Sequence, residues 1–148
     1  MMWSVPFSTY VTRKAVGDSI YSDRNYRILS ISEALTDFNW IVTANEDKQN
    51  FDDTFLIFYI NKSALMTIGY DKGMDSIPDW LSDWQLTEHT IVSDDTEYAC
   101  YQKRVTPCEI ILGGNCGSSS SSMYLILIND EIDNIPPAPP TNLRIVRF

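Results

Sequence analysis

The sequence has a single histidine, His89, in 148 residues. At most one imidazole is therefore on hand as a base or a metal ligand. The short motifs that supply nucleophiles, metal sites or phosphate cradles are missing as well: there is no G-x-S-x-G elbow, P-loop, H-E-x-x-H or C-x-x-C. Neither catalysis nor a cofactor is expected. Positive charge is scarce, with 11 Lys and Arg against 20 Asp and Glu and a net charge of −9. Nucleic acid and anionic membrane surfaces are met by clustered Lys and Arg, so neither is expected as a partner. No apolar run reaches the roughly 18 to 20 residues of a membrane span, so no insertion is expected. The opening "MMWSVPFSTYVTRK" lacks a basic region followed by an apolar one, and no signal peptide is visible. A cytoplasmic protein and a mature or excised piece of a secreted one both fit.

Cysteine is sparse too. Cys100, Cys108 and Cys116 are evenly spaced, unlike the tight pairs that hold zinc, so no metal site is expected. In an oxidising compartment two of them can pair. Cys108 with Cys116, bracketing "EIILGGN", is one choice. Cys100 with Cys108 is another, and three buried thiols a third. Carboxylates cluster in "NEDK" and in the pairs Asp52, Asp53 and Asp94, Asp95. Without EF-hand spacing these read as solvated loop faces rather than a calcium site.

The sequence does hold β-branched and aromatic runs. Residues 26–31, 39–44, 54–60, 64–70, 97–105, 109–112 and 122–128 each read as a strand bounded by Asn, Asp, Gly, Pro or Ser. Seven such runs with little helix predict an all-β, antiparallel β-sandwich, jelly-roll-like, over residues 1–130. "FLIFYI" and "MYLILI" are apolar on both alternating sets and predict strands covered on both faces. "NKS" between two strands predicts a hairpin link, and "LGGN" a hairpin turn. One helical turn is expected in "SISEALTDF". Another is expected in "SIPDWLSDW", with Ser76 as N-cap and Pro78 and Asp79 in its first turn. Spacing of four then puts Trp80 and Trp84 on one side of that turn.

Tyr70, Asp71, Trp80 and Trp84 form the set best suited to a ligand. Flat rings stack on sugar C–H faces while carboxylates and amides take the hydroxyls. The competing account has both tryptophans anchoring the turn on the sandwich, each indole N–H on a backbone carbonyl.

From residue 131 the composition changes. "PPAPP" predicts a stiff polyproline spacer, and "NLRIVRF" a β-prone tail. Residues 131–148 thus read as a Pro-rich linker and extended tail. Asn142, Leu143, Ile145, Val146 and Phe148 would add as a strand to the open sheet edge of a neighbouring subunit. Loss of residues 134–148 should then leave the sandwich folded.

In order, "YSDRNYRILSISEAL", "WIVTANEDK", "YDKGMDSIPDWLSDW", "LGGN" and "SMYLILI" resemble β-sandwich accessory modules. Such modules accompany secreted bacterial polysaccharide lyases, glycoside hydrolases and other large surface proteins. The resemblance spans about residues 17–128 and implies a non-catalytic, extracellular or cell-surface sandwich that binds carbohydrate. The matched positions are Asp23, Arg24, Thr43 to Asn45, Asp47, Lys48, Tyr70, Asp71, Trp80 and Asn115. Asp47 thereby joins the candidate ligand-binding residues. Gly73 stands where the family pattern has an arginine, which removes a planar hydrogen-bonding group. Cys108 stands where it has glycine, which favours a disulfide peculiar to this chain. "PPAPPTNLRIV" also looks like a linker entering the first strand of a fibronectin type III domain. Two functional readings follow: a carbohydrate-binding module, and a structural subunit of an extracellular assembly or filament joined through its tail. The partner is a glycan in the first and a neighbouring subunit or domain in the second.

Overall fold

All seven apolar runs become strands in the computed structural model, which describes residues 3–5, 11–60, 62–130 and 144–147. The strands are β1 (Trp3–Val5), β2 (Val11–Arg13), β3 (Ile28–Ile31), β4 (Asn39–Ile41), β5 (Leu56–Ile60) and β6 (Ala64–Asp71). They continue with β7 (Gln85–Ser93), β8 (Glu97–Val105), β9 (Cys108–Leu112), β10 (Leu125–Asp130) and β11 (Arg144–Arg147). Three short 3₁₀ turns, Glu33–Leu35, Asn45–Gln49 and Asp79–Leu81, are the helical elements among the described residues. None is long and apolar enough to cross a membrane.

The strands form two antiparallel sheets, a seven-stranded one in the order β2-β4-β10-β6-β8-β7-β3 and a four-stranded one in the order β1-β11-β5-β9. Cross-strand partners share a face. Ile41, Ile126 and Ile68 lie in one such row, with Ile128 opposite Met66 beside it. Trp40 and Leu127 belong to the other face of the large sheet, as do Tyr98 and Cys100 by the β6–β8 register. Both faces are buried, and Tyr21 reaches the second through the Tyr98 hydroxyl. This is why Leu125 to Ile128 are all buried, as the unbroken apolar run predicts. The four-stranded sheet buries one face only, with Leu56, Phe58, Ile60, Ile110 and Leu112. Tyr59 and Ile111 stay exposed on the other, so "FLIFYI" is not covered on both sides.

Several expectations are corrected. The "NKS" link joins no hairpin: β5 lies in the small sheet and β6 in the large one, where β10 and β8 already occupy both its edges. Asn61 itself lies outside the described residues. "LGGN" is not a hairpin turn either, since β9 and β10 belong to different sheets. The helical turn of "SIPDWLSDW" starts with Pro78, not Ser76, in the N-cap position, and no side chain caps it. The polar "QLTEHTIVS" is a full strand, β7, whose register shifts between Leu86 and Thr90 and blurs the period-two pattern.

The three cysteines are free thiols. Cys108 sits opposite Ile60 at the start of β9, which then runs extended for about 13 Å to Leu112. Cys116 lies beyond that far end, its N–H on the Asn50 carbonyl. A disulfide needs Cα atoms within about 7 Å, and the straight strand keeps these two apart. Of the tail, Ile145 and Val146 lie in β11, while Asn142, Leu143 and Phe148 fall outside the described residues. β11 is a strand of the chain's own small sheet, paired to β1 on one side and β5 on the other. Its β-forming backbone thus finds partners at home, where β5 would otherwise end in a bare edge.

Candidate functional site

Residues 113–124, between β9 and β10, contain no strand, and most of them are buried. Buried backbone outside a ladder needs other partners, and polar side chains supply them. Asn115 is central: its Nδ2 donates to the Lys48 carbonyl (3.0 Å) and the Ser122 carbonyl (3.1 Å), and its Oδ1 accepts from Tyr124 N–H (3.1 Å). Asn45 Oδ1 accepts from Met123 N–H at 3.0 Å, and Thr43 Oγ1 donates to the Tyr124 carbonyl at 2.9 Å. Tyr21 donates to the Met123 carbonyl at 2.6 Å. Asp23 accepts from Asn45 N–H (2.8 Å) and Glu46 N–H (3.0 Å), which holds the start of the Asn45–Gln49 turn. The stretches "YSDRNY", "TANEDK", "LGGN" and "SMY", far apart in sequence, meet in this one network.

Tyr70 and Asp71 belong to it too. The Tyr70 hydroxyl donates to the Asn115 carbonyl at 2.6 Å, and burial first, then nearby Cys116 and Asp71, pushes its pKa up to about 12. One Asp71 carboxylate oxygen accepts from Ser122 N–H (2.9 Å). The other accepts from Thr96 Oγ1 (2.9 Å) and Gly73 N–H (2.9 Å). Both residues are buried with their polar atoms engaged. Asp47 lies in the Asn45–Gln49 turn, and its charge bears on the buried Tyr124.

The tryptophans face a different place. Trp80 follows Asp79 in the 3₁₀ turn, and its Nε1–H donates to the Gly114 carbonyl at 2.8 Å. The ring lies so close to the chain that a Cβ on Gly113 would come within 2.3 Å of Trp80 Cδ1. Trp84 meets Trp80 edge-to-face, with centroids 6.3 Å apart and planes at 85°. Trp80 also packs on Tyr124 at 5.2 Å. The two rings thus meet as expected, although the 3₁₀ turn ends at Leu81 and Trp84 follows it outside the turn.

Both indoles line an open groove of about 400 Å³ between the Asp79–Trp84 segment, the end of β8 and the edge strand β9. Lys103, Asp83, Glu109 and Ile111 share its walls. Lys103 Nζ sits 5.8 Å from the Trp84 ring centre and 2.9 Å from an Asp83 carboxylate oxygen. The hydrogen bond from Lys103 is the main cause holding the Asp83 carboxyl below its ordinary pKa. The groove therefore combines flat apolar rings with an ammonium, carboxylates and the hydroxyl of Thr106. Tyr70, Asp71 and Asp47 are not among its lining residues. The structure brings Trp80 and Trp84 together and places the other three in the scaffold behind them. Sequence reasoning missed Lys103, Asp83 and Glu109. Nothing in "YQKRV" marks one lysine as the residue that meets a distant tryptophan. Among the described residues no group of three or more His, Cys, Asp or Glu side chains is placed to hold a metal.

No protein-family model matches the chain, and no curated protein matches it. Two solved structures resemble it. One is a β-glucuronidase from glycoside hydrolase family 2, with a TM-score of 0.74 and 17% identity over 88% of this chain. The other is an enzyme of glycoside hydrolase family 138 that targets the pectin rhamnogalacturonan II, with a TM-score of 0.61 and 16% identity over 85%. The match spans 13% of the first enzyme's chain and 16% of the second's. At such identity the likeness lies in the fold: the chain shares its β-sandwich architecture with a small part of two glycoside hydrolases.

Proposed function

We propose that this chain is a non-catalytic β-sandwich module of an extracellular or cell-surface protein, and that it binds carbohydrate in the Trp80–Trp84 groove. The observation that carries this reading is the half-buried Trp80 ring on an open groove, backed edge-to-face by the buried Trp84 and flanked by the Lys103–Asp83 pair. Indole faces suit sugar C–H surfaces, and the flanking charges suit hydroxyls. The fold's occurrence within two glycoside hydrolases supports the same class of ligand. Calorimetric titration against neutral and acidic oligosaccharides tests it. Ile111, exposed on the groove wall, can be changed without touching the core. We expect Ile111→Asp and Trp84→Ala each to weaken binding about tenfold, the order set by one lost ring or wall contact. The reading fails if no glycan binds, or if both folded variants bind as the parent does.

A further inference from the structure

The route of the chain into β11 is out of proportion to the gap it spans. Asp130, the last residue of β10, lies opposite Ala64, and Arg144, the first of β11, lies opposite Tyr59. Tyr59 and Ala64 are five residues apart in the chain, at most about 17 Å. With a strand spacing of roughly 5 Å at each end, β10 stops no more than about 27 Å from where β11 begins. The connection between them covers fourteen residue steps, a reach of about 46 Å when extended. Its sequence, "EIDNIPPAPPTNL", carries a proline run, a composition that favours stiff spacers. A connection of this length gives the strand reach beyond its own sheet.

What waits at the end of that reach is a strand with two ladders to make. β11 pairs three residues with β1 and four with β5, and among the described strands it is β11 that pairs with β1. These ladders are specified by backbone and register, not by the origin of the strand. A second copy offers the same slot. We propose that β11 is an exchangeable strand, which one copy of this chain inserts between β1 and β5 of another copy. Each exchanged contact reproduces the hydrogen bonds of the monomer, so the exchange costs mainly the entropy of association. The reach of about 46 Å lets the strand meet a neighbour's slot as readily as its own. Exchange of this kind can close reciprocally or run head to tail into a chain of subunits. This inference is independent of the glycan reading and gives the assembly a defined joint.

Two single-cysteine chains test it. Ile57 and Val146 are paired in register across β5 and β11. One chain carries Ile57→Cys and the other Val146→Cys. They are refolded together at high concentration, oxidised, and the disulfide-linked peptides mapped. We expect a bridge between positions 57 and 146 in a species of twice the chain mass when the chains are refolded together, and none when they are refolded apart and mixed only for oxidation. Links through the native thiols give different peptide pairs and are told apart by mass. A doubly substituted chain is the companion measurement. If it closes the same bridge within itself while the mixture yields none, β11 stays home and the proposal is overturned. If neither forms the bridge, β11 does not occupy the slot beside β5, and the proposal falls as well.

Discussion

Single residues at the 113–124 segment carry more of this fold than their types announce. Asn115 makes three hydrogen bonds to backbone groups of Lys48, Ser122 and Tyr124 and is fully buried. Its replacement by alanine strands buried donors and acceptors, each at a cost of about 1–3 kcal/mol. Asn115→Ala should therefore lose at least about 3 kcal/mol by urea titration, and Asn115→Asp, which sets a carboxylate oxygen against the Lys48 and Ser122 carbonyls, should be no better tolerated. An unchanged midpoint for the alanine variant would show the network to be dispensable. Gly113 acts through what it lacks. A methyl there meets the Trp80 ring, so Gly113→Ala should push the indole off the Gly114 carbonyl and cost about 1–3 kcal/mol by overpacking. A changed tryptophan emission at intact β-sheet circular dichroism would report it. The sequence of "LGGN" showed two glycines and suggested a turn. The actual need for them comes from Trp80, 33 positions earlier, and from Asn50, whose carbonyl approaches Gly114. Such a need exists only in the folded chain. Likewise Tyr70 and Asp71 were legible as important residues, but not as supports of a distant loop.

Among elements, those with strong apolar patterns were legible and those defined by their partners were not. β10 reads as a doubly covered strand and is one. β5 has the same composition yet leaves Tyr59 exposed, because the small sheet has nothing described over its outer face. β7 hides its strand behind polar residues and a register shift. β11 is the sharpest case. Its β propensity is visible in "NLRIVRF", but its place between β1 and β5 depends on which edges the rest of the fold leaves open. That placement reverses the expectation for truncation. Removal of residues 134–148 takes away β1's partner and bares one edge of β5. At roughly 0.5–1.5 kcal/mol for each lost hydrogen bond, the truncated chain should be weaker by about 3 kcal/mol or more. It should also self-associate, since a bare edge invites pairing. Equal urea midpoints and a monomeric truncated chain would return the tail to the role of a detached appendage.

At the scale of the whole molecule, the buried phenols and one buried thiol set how the fold responds to pH. Burial is the main cause that pushes Tyr70 and Tyr98 up to about 12 and Cys100 up to about 12. It also raises Tyr21 and Tyr124. In the unfolded chain these groups ionise at ordinary values, near 10 for tyrosine and 8.5 for cysteine. A raised pKa in the native state means that the folded chain holds protons which the unfolded chain has released. Stability is therefore whole below about pH 8.5 and falls as pH climbs through 12. Each tyrosine raised by two pH units withdraws on the order of 2–3 kcal/mol across that window. Several groups acting together should unfold the domain in one cooperative step before they titrate individually. The acid side has no comparable lever in the groove: the Lys103–Asp83 pair is exposed on both partners, so loss of the Asp83 charge should cost little. Phenolate absorbance followed alongside circular dichroism from pH 8 to 13 checks this. We expect the buried tyrosines to appear in a steep step above pH 10 that coincides with loss of β structure. If all eight tyrosines titrate near pH 10 while the fold persists, water reaches the 113–124 network. Trp80, hung on the Gly114 carbonyl of that segment, would then lack the rigid backing that a preformed sugar platform requires.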